Sequence, residues 1–254
     1  MLAQAGAAAG WWQDSTLYIA LTLAAFTVLF GTRHLDTTER HEGMVAAIAF
    51  ESVVKLLAFL AVGIYVTFWL YDGFGDLYAR ALQHPELASL LVFDGTGRIG
   101  YGGWFAHVLL AMLSVIFLPR QFQIAVVENV NEQHLRRATW VFPAYLLAIN
   151  LFVIPIALGG LLHFGKGTVD PDTFVLTLPL AHDNAALALF VFIGGLSAAT
   201  GMVIVEAIAL STMVCNDLVM PILLHSRRLG LSAQRDLTRL LLGIRRGAIV
   251  GVLL

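Results

Sequence analysis

Long apolar runs alternate with short polar segments along this chain, at lengths typical of membrane-spanning helices. Five runs are long enough to span. A sixth apolar run follows Ser232, a residue type suited to capping a helix, and continues to the end of the chain. Between the second and third runs, residues 76–91 predict a short amphipathic surface helix interrupted at Pro85. The predicted spans cover about residues 15–31, 43–70, 103–130, 139–163 and 184–214.

Four polar or helix-breaking residues lie within the third run, residues 103–130: Pro119, Arg120, Gln121 and Gln123. A helix from Trp104 to Leu118 covers roughly 21 Å of an apolar core about 30 Å thick, so Pro119 interrupts it before it has crossed. Two interpretations are open on these residues. Either the helix is broken inside the membrane, as at many transporter binding sites, or the span ends at Leu118 and an interfacial helix follows.

Composition places the chain among membrane proteins. Hydrophobic residues make up 59% of the chain and charged residues 13%, and the mean hydropathy is +0.81. Because no linker divides the runs, we predict one transmembrane domain over residues 1–254, an internal piece of a longer polypeptide without a soluble catalytic domain. The single cysteine, Cys215, is predicted to be a buried structural thiol.

The basic residues predict the orientation of the helices. Eleven of the 15 lie after the first, third and fifth spans, whereas Arg80, Arg98 and Lys166 lie on the opposite side and Lys55 lies within a span. By the positive-inside rule the larger group faces the cytoplasm and the N-terminus faces out. That group is Arg33, Arg40, Arg120, Arg136, Arg137, Arg227, Arg228, Arg235, Arg239, Arg245 and Arg246.

Glu51, Lys55 and Glu206 lie within the second and fifth predicted spans, where charge is costly unless it is paired or lines a cavity. Glu51 and Lys55 are four residues apart and share one helix face. They form either an ion or proton site, in which the ammonium occupies the place of a bound cation, or a structural ion pair. Glu206 is a candidate proton relay that is either protonated or meets a basic residue. Asn150 and His107 more often hydrogen-bond a neighbouring helix.

The histidines do not match a metal-binding pattern. His34 and His41 are seven residues apart in a polar loop, and the spacings HxxxH, HxxHH and HExxH are absent. No phosphate-binding loop or nucleophile elbow occurs either. The sequence therefore predicts no metal, no cofactor, no catalytic residue and no nucleic-acid partner.

Three long runs are specific enough to suggest a family: FGTRHLDTTERHEGMVAAIAFESVVKLLAFLAVG, FLPRQFQIAVVENVNEQHLRRATWVFP and GGLSAATGMVIVEAIALSTMVCNDLVMPILL. They resemble the membrane domain of CbrA-type sensor histidine kinases, in which a domain similar to the sodium/solute symporters precedes a cytoplasmic kinase. The resemblance covers nearly the whole chain. It implies an all-α polytopic membrane protein with part of a LeuT-type fold, namely helices five to ten, the last one truncated.

The resemblance also bears on ion coupling. Symporters of this family place an Asp about seven residues after a Gly to support a sodium site, and here Gly43 is followed by Glu51. Their ninth helix carries adjacent hydroxyls, where this chain has Thr200 followed by Gly201 and a methionine. With Lys55 nearby, these departures put a Na⁺ site in doubt and favour proton coupling or binding without transport.

The family's broken seventh helix corresponds to FLPRQF, which favours the broken-helix interpretation of Pro119. The resemblance thus implies a sensory domain in a bacterial inner membrane that binds a nutrient such as an amino acid, with or without importing it, histidine being suggested. Its partners would be the bilayer, the solute, the first half of the fold and a downstream kinase. A free-standing secondary transporter and a structural anchor are the alternatives. The candidate solute-binding residues are Pro119, Arg120, Gln121, Gln123 and Asn150, and the candidate coupling residues are Glu51, Lys55, Thr200 and Glu206.

Overall fold

The structure is a computed structural model that describes residues 15–31, 42–92, 100–129, 131–225 and 237–253. All regular secondary structure within these ranges is helical, as predicted. The α-helices are α1 Ser15–Gly31, α2 Glu42–Tyr65, α3 Phe74–Leu82, α4 Pro85–Leu91, α5 Gly100–Phe117, α6 Pro119–Phe122, α7 Glu132–Phe164, α8 Phe174–Ala181, α9 Ala185–Met213, α10 Met220–His225 and α11 Leu237–Leu253.

Four helical segments of the described chain are long and apolar enough to cross a membrane: Val45–Leu70, Gly100–Phe117, Glu132–Phe164 and Ala185–Ile222. They correspond to the second to fifth predicted spans. The helices α1 and α11 have 17 residues each, or about 26 Å of rise, which falls short of an apolar core about 30 Å thick. The all-helical membrane class is therefore supported, whereas six spans and a LeuT-type arrangement stay predictions.

Three helices end in a π-helical turn, which holds one residue more than an α-helical turn. These turns are Val66–Leu70 after α2, Gln123–Val127 after α6 and Val214–Val219 after α9. A short 3₁₀ turn, Pro171–Thr173, precedes α8.

The predicted surface helix between the second and third spans is confirmed as two short helices. In α3 the apolar side chains of Leu77 and Ala81 are buried, and they pack with Leu87 of α4 and Leu158 of α7. Pro85 occupies the first turn of α4, where its missing N–H leaves no partner unsatisfied. The prediction of an interruption at this proline was therefore correct.

The fourth span is longer than the sequence pattern predicts. The helix α7 begins at Glu132, seven residues before the predicted start, because the Asn131 side chain caps it by accepting a hydrogen bond from the Gln133 N–H at 2.9 Å. It ends where Gly165, at φ +77°, donates its N–H to the Leu161 carbonyl.

The described chain forms two compact units. The first combines α1, α6, the second half of α9, α10 and α11. Within it α1 packs against α11, and Thr27, Ser211 and Cys215 are buried. Cys215 is a free thiol, so its predicted burial is confirmed.

The second unit, Glu42–Ile116 and Ala125–Ala199, has a core where α2, α7 and α8 meet. Glycines bring these helices close together. A Cβ atom added at Gly63 would lie 2.2 Å from Phe152, and one added at Gly160 would lie 2.2 Å from Phe174. Close approach at small residues is a general way to pack helices in membranes. The core side chains are Val62, Val66, Phe152, Ile156, Phe174, Leu178 and Val191.

Candidate functional site

The third span is interrupted at the predicted proline. The helix α5 ends at Phe117, Leu118 is extended with φ −72° and ψ +124°, and Pro119 is the first residue of α6. Proline disfavours the helical conformation for the residue before it, which accounts for the extended Leu118. The prediction of a helix break here is confirmed.

Polar side chains follow the break at once. Arg120 and Gln121 are half-buried, and Gln123, which begins a π-helical turn, is only 8% exposed. The two ion pairs placed between described residues, Asp76–Arg80 and Glu86–Lys166, do not include Arg120. The segment thus combines an interrupted backbone with a guanidinium and two amides inside an apolar sequence.

One carboxylate near this segment was missed by the sequence reasoning. Glu128 follows the π-helical turn and is 7% exposed. The sequence could have identified Glu128, because it lies in the run AVVENV, where no proline or glycine has yet ended the apolar stretch. An acidic side chain buried to this degree is a candidate functional residue, because charge is rarely buried without a partner or a purpose.

The predicted site residues divide between the two units. Thr200 and Glu206 are half-buried residues of α9 and belong to the same unit as Pro119–Gln123. Glu51, Lys55 and Asn150 belong to the other unit.

The amide of Asn150 is used within its own helix, where it donates to the Leu146 carbonyl at 2.7 Å, and its side chain is exposed. His107 likewise bonds the Gly103 carbonyl one turn back, at 2.7 Å. Both bonds stay within one helix. The predicted hydrogen bonds from Asn150 and His107 to a neighbouring helix are therefore not the bonds found here.

Lys55 lines a cavity of about 510 Å³ within the second unit. The walls come from α2, from the Pro171–Thr173 turn with α8, and from α9. Asp172 and Thr173 are the other polar residues of the lining. The remaining lining residues are small or apolar: Ala58, Phe59, Val175, Leu176, Val191, Phe192, Gly194, Gly195, Leu196 and Ala199.

Glu51 lies one helical turn before Lys55 and on the side of Tyr145. The Tyr145 hydroxyl donates to the Ser52 carbonyl at 3.2 Å, and Glu51 is near enough to interact electrostatically with that tyrosine. This contact joins α2 to α7 beside the carboxylate. Whether Glu51 and Lys55 act as an ion pair or as a proton site stays a prediction.

Arg245 provides a polar contact between helices that the sequence alone did not identify. It is half-buried in α11, and its Nη2 donates to Thr212 Oγ1 of α9 at 2.7 Å. Counting Arg245 among the cytoplasmic loop residues rested on proximity in the sequence; the structure instead places it within a helix, against a hydroxyl of the same unit.

A polar cluster lies outside the spans, around α3. Arg80 donates to Asp76 at 2.9 Å, and its guanidinium carbon lies 5.4 Å from the centre of the Tyr71 ring. The hydrogen bond from Arg80 holds the pKa of the Asp76 carboxyl below its ordinary value and raises the pKa of Arg80. Burial raises the pKa of Tyr71, against a smaller opposing effect of Arg80.

The described residues contain no group of three or more His, Cys, Asp or Glu placed to hold a metal ion. The polar loop with His34 and His41 lies outside the described residues, as does the predicted cap Ser232. A pair of histidines does occur: the rings of His163 and His182 have centroids 4.6 Å apart.

Comparison of the chain with family models, with curated proteins and with solved structures gives no match. The likeness to the membrane domain of CbrA-type kinases therefore rests on the sequence runs given above. Function has to be argued from the residues and their geometry.

Proposed function

We propose that this chain is a transporter-like sensory domain in a membrane, which binds a small polar solute at the interrupted helix around Pro119. The observation that carries the proposal is the extended Leu118 between α5 and α6, directly after a segment, Gly100–Phe117, that is apolar enough to span. A break of this kind leaves backbone groups free to bind a ligand where lipid offers them no partner.

The side chains after the break favour a solute with a carboxylate. A guanidinium presents a planar fork of donors that matches two carboxylate oxygens, and Arg120 lies in the first turn of α6. Gln121 and Gln123 add amide donors and acceptors. An amino acid fits this chemistry, and histidine is the one that the family resemblance suggests.

Coupling is assigned to protons instead of sodium. The carboxylates Glu51 and Glu206 are both half-buried within spanning segments, where ionisable side chains mark ion and proton pathways. Thr200, six residues before Glu206, offers one hydroxyl, and Lys55 supplies a positive charge where symporters would hold a cation.

In the full polypeptide, we propose, solute occupancy is passed to a cytoplasmic histidine kinase. The chain itself carries no catalytic motif, so any kinase activity would belong to the segment that follows. Sequencing the reading frame past Leu254 separates this proposal from a free-standing transporter, since a phosphoacceptor helix and an ATP-binding domain are present in one and absent in the other.

The solute site is tested by Arg120→Ala, with Arg136→Ala as the matched control, because Arg136 is an exposed arginine in the first turns of α7. We expect histidine binding and uptake by the full-length protein in proteoliposomes to fall at least about tenfold in Arg120→Ala, since a lost charge-assisted bidentate contact is worth about 1.5–3 kcal/mol. Arg136→Ala should behave as wild type.

Lys55→Ala tests the coupling assignment in the same assay and should change the dependence of uptake on the proton gradient. Unchanged uptake and kinase output in both Arg120→Ala and Lys55→Ala would sink the assignments. If no solute stabilises the protein against thermal unfolding, the structural anchor is the better hypothesis.

A further inference from the structure

The cavity beside Lys55 is separate from the break at Pro119 and raises a question of its own: why a lysine lies in the middle of a span. Lys55 is about 15 Å of helix from Val45 and about 22 Å from Leu70, the two ends of that segment. An ammonium at this depth is costly unless it meets a partner or faces a cavity. Lys55 is exposed and lines a cavity, which is one of the two settings that admit a charge here.

Small residues produce this cavity. At Gly194 the helices α2 and α9 approach closely, because an added Cβ would lie 3.0 Å from Ala58 and 3.8 Å from the Lys55 Cα. The next residue, Gly195, also lines the cavity, and an added Cβ there would meet no atom within 4 Å. One glycine joins the helices and its neighbour leaves space beside the lysine.

The lining carries two opposite charges on otherwise apolar walls. Lys55 comes from α2 and Asp172 from the turn before α8, and neither belongs to the two ion pairs placed between described residues. Phe59 and Phe192 are the aromatic residues of the walls. A volume of about 510 Å³ lies within the range of small-molecule sites, about 300–1,000 Å³.

Charge complementarity decides which ligand such a lining would accept. A plain anion would suit Lys55 but be repelled by Asp172, and a plain cation would suit Asp172 but be repelled by Lys55. A molecule with both charges and an apolar body satisfies both residues and fills the walls. We propose that this cavity is a second binding site, for a free amino acid with an apolar side chain.

The proposal is independent of the solute site at Pro119 and is tested with three probes of one shape. The chain is reconstituted in phosphatidylcholine nanodiscs, and binding of L-phenylalanine, 3-phenylpropionate and 2-phenylethylamine is measured by titration calorimetry. We expect phenylalanine to bind at least about tenfold more tightly than either singly charged analogue, since each analogue loses one charge-assisted contact. No binding of phenylalanine, or equal binding of 3-phenylpropionate, would overturn the proposal.

Variants assign the binding to the cavity. Lys55→Met and Asp172→Asn should each weaken phenylalanine binding at least about tenfold, and Lys55→Arg, which keeps the charge, should restore most of it. Lys166→Met, at an exposed lysine that pairs with Glu86, is the control and should leave binding unchanged. Loss of binding in Lys166→Met equal to that in Lys55→Met would contradict the assignment.

Filling the cavity gives a test without charge change. Gly195→Leu should abolish phenylalanine binding, whereas Gly102→Leu, at a second glycine whose added Cβ meets nothing within 4 Å, should not. Arg120→Ala should leave this binding intact. If Arg120→Ala removes it and Gly195→Leu does not, phenylalanine binds at the Pro119 segment and the cavity site is wrong. If Gly195→Leu leaves binding at the wild-type level, phenylalanine binds outside the cavity and the proposed site is wrong.

Discussion

The helix α5 and the second half of α7 are alike in composition and opposite in packing. Both belong to segments apolar enough to cross a membrane. No residue of α5 is buried, whereas α7 buries six residues between Phe152 and Gly160. Apolar composition therefore says that a segment suits the bilayer and says little about which neighbour it packs against.

Glycine positions account for the difference. In α7, Gly159 and Gly160 admit Val66 and Phe174 at distances that a Cβ atom would not allow. In α5, Gly102 faces open space. Because lipid tails solvate apolar side chains as well as a protein does, helices in membranes associate where small residues let their surfaces meet closely.

The largest expected effect comes from cutting a buried side chain in α7. Ile156→Ala should lower the free energy of unfolding by about 3 kcal/mol, because it leaves a cavity in the core beside Phe152 and Leu178. Leu110→Ala in α5, where the side chain is 64% exposed, should change it by no more than about 0.5 kcal/mol. Unfolding in mixed detergent micelles measures both; equal losses would show that α5 is packed in the membrane.

Adding a methyl group is the next test. In Gly160→Ala the new Cβ would overlap the Phe174 ring at Cδ2, Cγ and Cε2, so the ring would have to shift as a whole. Overpacking of this kind should cost about 2 kcal/mol. Gly102→Ala in α5 should be neutral or slightly stabilising, since alanine favours the helix. A Gly160→Ala protein as stable as Gly102→Ala would contradict the packing given for α7 and α8.

A double-mutant cycle sharpens the contact between α2 and α7. Gly63→Ala should destabilise the protein because its Cβ would lie 2.2 Å from Phe152. In a Phe152→Ala background the same change should be almost harmless, giving a coupling energy of about 1 kcal/mol or more. Additive effects of the two substitutions would mean that Gly63 and Phe152 do not meet. Unfolding in mixed detergent micelles provides the free energies of all four proteins in the cycle.

The smallest effect is electrostatic and concerns α3, which docks on the buried end of α7. The pKa of Asp76 is lower in the folded chain than its ordinary value of 3.8 because Arg80 donates a hydrogen bond to it. Its contribution to stability is therefore present above about pH 4 and is lost as the pH falls through the folded pKa.

Asp76→Asn should flatten this part of the stability–pH profile, and Arg80→Gln should do the same. The Asp76–Arg80 pair is open to solvent on its Arg80 side, so the change is small and fades with added salt. A profile that stays as steep in both variants would assign the acid sensitivity elsewhere.

Sequence reasoning succeeded where a single residue fixes the local backbone. Pro119 and Pro85 interrupt the helical pattern as predicted, and each begins a new helix. The fifth span begins within one residue of the predicted start, but it continues through the π-helical turn to Ile222, eight residues past the predicted end. The backbone chemistry of proline and the length of an apolar run are enough to predict helix breaks and the approximate extent of a span.

The candidate site was less accessible to prediction because it depends on which helices meet. The cavity combines Lys55 of α2 with Asp172 of the turn before α8, which are 117 positions apart in sequence. No sequence pattern links the two elements. Nothing local to Asn150 shows that its amide turns back on its own helix. The family resemblance supplied roles for residues, and those roles stay predictions.

The π-helical turns have a consequence for comparing this chain with sequences of other lengths. Each residue turns an α-helix by about 100°, so one extra residue would ordinarily rotate everything beyond it onto a different face. A π-helical turn absorbs that residue locally. We therefore expect deletion of one residue within Val66–Leu70 to be tolerated, with α3 still docked through Leu77, while the same deletion earlier in α2 is not. Alignment gaps inside the spans belong at these turns.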